Sequence, residues 1–90
     1  MGSMNIKIRL MPDSVETDLE KIKVDVKKIL EEKHKAKGLN FEEHPIAFGL
    51  KALVLSFIWS EDKEFEPVEN ELGEIEHVNS IETIDMRRAL

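Results

Sequence analysis

Residues 51–59 read Lys-Ala-Leu-Val-Leu-Ser-Phe-Ile-Trp, and no other stretch constrains the fold as tightly. Leu53, Leu55, Phe57 and Trp59 share one parity; Ala52, Val54, Ser56 and Ile58 share the other. A strand that is largely apolar on both faces belongs in the middle of a sheet. Its second face carries the smaller groups, so that face is either partly open to solvent or covered by another segment or chain. The run is far too short to cross a bilayer.

Every other element has to serve that strand. Residues 5–10 alternate strictly, with Ile6, Ile8 and Leu10 on one face and Asn5, Lys7 and Arg9 on the other. This predicts a half-buried strand, stopped by Pro12 and Asp13. Thr17-Asp18-Leu19-Glu20 has the form of a capping box with Thr17 as the cap. Leu19, Ile22, Val26, Ile29 and Leu30 then fall on one helical face, which predicts a helix over 18–33. Leu39 and Phe41 alternate with polar neighbours in a short strand over 39–43. Glu42, Glu43 and Pro45 suit it to a sheet edge. Pro67 opens a second helix carrying Val68, Leu72 and Ile75, which Gly73 weakens. Residues 78–86 read as a last strand, although Ile81 breaks its alternation and leaves its register open.

The order is strand, helix, strand, strand, helix, strand. Two βαβ halves of this size match an α+β, ferredoxin-like split βαβ sandwich, with a four-stranded antiparallel sheet and two helices on one face. Right-handed crossovers place the first and third strands in the middle and the second and fourth at the edges. Lys7, Arg9, Val54 and Ser56 then lie on the face away from the helices. The 90 residues suffice for one small domain with one thin core. Residues 1–3 precede a second methionine, Met4, and look like an expression-tag scar, so the expected domain is 4–90.

The absence of cysteine removes disulfides and thiolate chemistry. A net charge of −6 gives no general attraction to nucleic acid or anionic membrane and suits a basic protein partner. With no leader-like segment, the expected location is the cytoplasm. His34, His44 and His77 are scattered without ligand spacing and are expected as surface or capping histidines, so no metal site is expected. Glu61, Asp62, Glu64 and Glu66 lack the turn glycine of a calcium loop and read as a solvated loop before the second helix. No phosphate-cradling glycine loop and no nucleophile motif is present. The chain is therefore expected to be neither an enzyme nor a cofactor-binding protein.

Two features stand apart. Pro45 and Gly49 bracket Ile46 and Phe48 just before the central strand. Gly49 permits a backbone conformation that its neighbours resist. Phe48 is then either a plug at the end of the core or a contact offered to a partner. Arg87 and Arg88 close an otherwise acidic chain, as a solvated tail or as a cationic contact.

Residues 45–53, Pro-Ile-Ala-Phe-Gly-Leu-Lys-Ala-Leu, lead into an apolar strand, an acidic loop, a short helix and the stretch 78–88. In this the sequence resembles archaeal translation elongation factor one-beta. It is also similar to the C-terminal exchange domain of the eukaryotic factor, whose loop reads much like P-I-G-F-G-I-K-K-L. The likeness spans residues 4–90. It implies the ferredoxin-like fold and a guanine-nucleotide exchange factor for the GTPase elongation factor one-alpha. It implies no cofactor, no direct nucleic-acid or membrane partner, and a monomer when free. Carried over, Phe48 matches an aromatic contact to the GTPase domain, held or flanked by Pro45, Ile46, Gly49 and Lys51. The eukaryotic form uses a lysine just before its last residue to disturb the magnesium site. Here that position is Ala89, and Arg87 and Arg88 are the nearest cations. The expected mechanism is an apolar wedge at Phe48 assisted electrostatically by the two arginines. The alternatives are a regulatory or small-molecule-binding module on the same fold, and an architectural subunit without exchange activity.

Overall fold

Strict alternation produces the first strand. β1 spans Ser3–Pro12, with Ile6, Ile8 and Leu10 buried and Asn5, Lys7 and Arg9 exposed. The computed structural model describes residues 2–89. Ser3, set aside above with the tag, pairs with Ser60 and Ala89 at the start of this strand.

α1 spans Leu19–Lys27 and continues as a π-helical turn over Lys28–Lys33. The predicted extent is met, but the cap differs. Asp18, not Thr17, accepts the first-turn N–H, that of Glu20, at 3.0 Å. Thr17 turns back and donates its hydroxyl to Asp13 at 2.8 Å. In the last turn the His34 N–H reaches the Ile29 carbonyl at 3.1 Å, an i→i−5 bond.

β2, Lys37–Pro45, is longer than its apolar alternation suggests, because polar residues on both sides also join the ladder. β3 is Lys51–Ser60 and α2 is Glu66–Gly73, which puts Gly73 at the helix end rather than in its interior. β4 is Val78–Ala89, three residues longer than its alternation predicts. Two register shifts against β1 explain its irregular pattern. They leave Asn79 and Ile84 unpaired, so Val78, Ile81, Thr83 and Met86 all stand on the side of Leu10, Ile8 and Ile6.

The sheet order is β2-β3-β1-β4, all antiparallel. This is the expected ferredoxin-like topology, with the two apolar strands central. One face of the sheet packs on Ile22, Val26 and Leu30 from the first helix and on Val68, Leu72 and Ile75 from the second half. At about 1.5–3 kcal/mol per fully buried aliphatic or phenyl side chain, this single cluster is the main stabilising term. Phe57, Trp59 and Phe65 form an aromatic group at its far end, with ring centroids 5.9–6.2 Å apart. His34 leans on Trp59 at 5.6 Å and bonds Glu71, so it is half-buried rather than a plain surface histidine.

On the other face, Ala52 and Val54 are buried although no helix covers them. Arg9 and Glu42 flank Val54 in register, and His44 flanks Ala52. Arg9 is tied to Glu82 at 2.6 Å, and His44 meets Glu42 at 2.9 Å. Long paired side chains lying over small ones stand in for a second layer there.

Candidate functional site

The loop between β2 and β3 is a tight hairpin tip. The Leu50 N–H donates to the Ala47 carbonyl at 3.0 Å, and the Ile46 N–H donates to the Leu50 carbonyl at 2.8 Å. Between them Phe48 has φ +55° and Gly49 has φ +81°. Positive φ at both central residues is the sign pattern of a type I′ turn, whose twist matches that of the flanking strands. Gly49 is suited to it. Phe48 is not, because the left-handed region costs a non-glycine residue about 1–2 kcal/mol.

A phenyl ring held in that conformation would be easy to understand if it were buried. It is 97% exposed. The core-plug reading of Phe48 is therefore wrong, since the ring projects from the turn and covers none of the core. Ile46 is half exposed beside it. Pro45 ends β2 opposite Lys51, which begins β3 with its side chain exposed. The five expected loop residues thus form one patch at the hairpin tip.

Arg87 and Arg88 are not part of that patch. β4 runs antiparallel to β1, and Arg88 pairs with Met4, itself opposite Trp59 near the end of β3. The hairpin tip joins the start of β3. Nine steps of strand separate the two ends, about 30 Å. The two arginines also diverge. Arg87 stands on the face with Asn5, whereas Arg88 stands on the helix side at the sheet's end. Arg87 bonds Asp85 at 3.1 Å, and Arg88 bonds Glu61 at 2.9 Å. The guanidinium of Arg88 holds the Glu61 carboxyl below its ordinary pKa, and Glu61 raises that of Arg88 in return. Ala89 lies at the end of β4, and Leu90 lies outside the described residues.

One neighbour of the tip gave no signal in the sequence. The connection from β1 to α1 comes up beside the hairpin, and Val15 within it is 58% exposed. A groove of about 460 Å³ lies between the two loops, lined on one side by Val15 and Leu19 and on the other by Glu43, Gly49 and Lys51. Lys23 bonds both Glu20 and Glu43, at 3.2 and 3.1 Å, and those carboxylates raise its pKa. Asp13 is held below the ordinary carboxyl range chiefly by the Thr17 hydroxyl, with His77 assisting. Chemically, this end of the molecule offers apolar contact and a few fixed charges. It is suited to binding.

Known proteins resemble this chain over nearly its whole length. Residues 5–89 match the family described as the EF-1 guanine nucleotide exchange domain. The chain is 42% identical over 92 residues to elongation factor 1-beta of Methanocaldococcus jannaschii, covering 99% of this chain and 100% of that protein. It is 35% identical over 89 residues to elongation factor 1-beta of Methanosarcina acetivorans, covering 98% of this chain and 99% of that one. The protein of the same name from Staphylothermus marinus is 36% identical over 90 residues, covering 98% of each. With a family match over nearly every described residue and full-length relatives above 30% identity, the chain belongs to the elongation factor 1-beta family of guanine-nucleotide exchange domains.

Proposed function

We propose that this protein promotes GDP release and GTP reloading on elongation factor one-alpha. It does so by binding the GTPase domain and disturbing the site that holds magnesium and phosphate. The observation that carries this reading is Phe48, a fully exposed ring kept in a costly backbone conformation at the tip of a hairpin. A feature that costs stability and covers no core is accounted for by a contact outside the chain.

Exchange of this kind needs no covalent chemistry from the factor. A GTPase holds GDP through backbone N–H groups and a metal ion. A factor that binds the nucleotide-free form more tightly lowers nucleotide affinity by the same ratio. The apolar tip supplies the binding that discriminates between the two forms. Arg87 and Arg88, about 30 Å away along the strands, act at a second place on the partner, so the GTPase must span the length of the sheet. The free chain acts as a monomer in the cytoplasm.

The test follows release of fluorescent GDP from a matching elongation factor one-alpha, with and without this chain, over a series of magnesium concentrations. Acceleration that fades as magnesium rises is the expected result. Phe48→Ala should lower the acceleration at limiting factor at least about tenfold, as truncation of an interfacial aromatic anchor does. Its circular dichroism and melting should match the parent. If Phe48→Ala releases GDP at the parent rate, the reading fails.

A further inference from the structure

Phe48 does not stand alone at its end of the molecule. Val15 Cγ1 lies 3.7 Å from where a Cβ on Gly49 would stand, so the β1–α1 loop touches the turn next to Phe48. That loop has a fixed form. The Asp13 N–H donates to the His77 carbonyl at 2.9 Å, and the Thr17 N–H donates to the Ser14 carbonyl at 3.3 Å. The Thr17 hydroxyl closes back on Asp13. Val15 is thus presented by a tied loop, with most of its surface in water.

Three large apolar side chains, Val15, Ile46 and Phe48, are exposed at this one end of the sheet. Single exposed apolar residues are ordinary, but a group of them marks a contact surface. Val15 lines the groove, and Ile46 and Phe48 stand on the hairpin tip that shares Gly49 and Lys51 with it. Geometry couples them further. A specific protein interface covers about 800 Å² on each side. A partner that covers Phe48 over that area must also cover a residue in contact with the adjacent glycine. The groove between the loops has the charge to select what enters. Asp18, Glu20 and Glu43 line it with Lys51, and Lys23 neutralises part of that charge from behind Glu20 and Glu43. One negative charge is left over, which favours a cation beside the apolar contact.

We propose that Val15, Ile46 and Phe48 form a single two-loop docking surface. Its groove takes a segment of the GTPase partner that offers an apolar side chain with a cation next to it. The inference rests on the exchange reading above. It adds Val15 as a binding residue, acting on affinity rather than on the release step.

Binding is the readout, because it can be measured whether or not exchange follows. Labelled chain is titrated with nucleotide-free elongation factor one-alpha, using the parent, Val15→Ser, Val15→Leu and Val24→Ser. Val24 is as exposed as Val15, at 52%, but lies on α1 outside the groove. Val15→Ser should raise the dissociation constant about fivefold, the loss expected for a few apolar carbons left uncovered. Val15→Leu should restore binding, and Val24→Ser should leave it unchanged. At saturating factor, Val15→Ser should still reach the parent rate of GDP release. Parent-like binding by Val15→Ser, or equal weakening by Val24→Ser, overturns the docking surface while the exchange reading stands. Binding without accelerated release defeats the exchange reading, yet the Val15 comparison still decides the docking surface. No binding by the parent defeats both. Sedimentation of the chain alone provides the last arm: a dimer that Val15→Ser dissolves would assign the patch to a second copy instead.

Discussion

The hairpin tip and the opposite end of the sheet close the same antiparallel ladders, yet they leave their candidate residues in opposite states. At the tip, Phe48 is 97% exposed with φ +55° and meets no partner among the described residues that would repay the strain. At the far end, Arg88 is bound to Glu61, Arg87 is bound to Asp85, and Lys63 donates to the His34 carbonyl at 2.6 Å while lying over Trp59. One end spends local stability to hold an apolar group outward. The other satisfies its charges internally. An unsatisfied, strained group points to function more directly than a paired one, because a paired group already has a structural reason to be where it is.

The largest test of that contrast is Phe48→Asn. Asn-Gly is the pair that a turn with two positive φ angles favours. The substitution should remove about 1 kcal/mol of backbone strain, raising the melting temperature by about 4–8 °C for a domain of this size. The same protein should lose at least about tenfold in GDP-release acceleration, as for truncation of an anchor. Thermal melting and the fluorescent-GDP assay on one sample would show the two quantities moving in opposite directions. A fall in melting temperature would mean that the ring makes stabilising contacts, and the contrast between the ends would go.

Arg87→Glu is the sharper probe of the far end, because among the described residues Arg87 pairs only with Asp85, two positions away. Its reversal should leave melting nearly unchanged, as exposed ion pairs contribute little. It should slow exchange by a few fold at low salt and by less at high salt, since rim charges act mainly on association. An unchanged rate across ionic strengths would remove Arg87 from the interface.

The legibility of the two ends differed for physical reasons. The topology was readable because period-2 alternation in β1 and double-sided apolarity in β3 leave few alternatives. The hairpin was readable as a loop because Pro45 and Gly49 mark it. The exposure of Phe48 was not, because a phenylalanine beside a turn glycine looks the same whether it tucks inward or projects. Only the sign of its φ and its solvent exposure decide between them. Val15 was silent because its partner, Gly49, is distant in sequence and meets it only after β1, α1 and the hairpin have packed. The bulges in β4 were half visible, as the break in alternation at Ile81. Ordinary strand alternation puts Arg87 and Arg88 on opposite faces, so adjacent cations that look like one cluster in sequence are two separate groups in space.

Arg88 carries the smallest and most specific prediction. Its guanidinium holds the Glu61 carboxyl below the ordinary glutamate value, with the hydrogen bond the larger cause and burial opposing it. A carboxyl whose pKa is lower in the folded chain than in the unfolded one takes up its proton more readily on unfolding. Its contribution is therefore complete above about pH 4.3, the unfolded value, and is lost as pH falls through the folded one. Arg88→Gln removes that difference. The parent should melt slightly higher than Arg88→Gln at pH 7, and the gap should close as the pH drops below about 4.3. Melting curves for the two proteins from pH 7 down to pH 3 would show it. A gap that persists at low pH would mean that Arg88 stabilises the end of β4 by packing its stem beside Met4 rather than through Glu61. The far end would then owe its order to apolar contact, as the core does, and the charge pairing that sets it apart from the hairpin tip would be secondary.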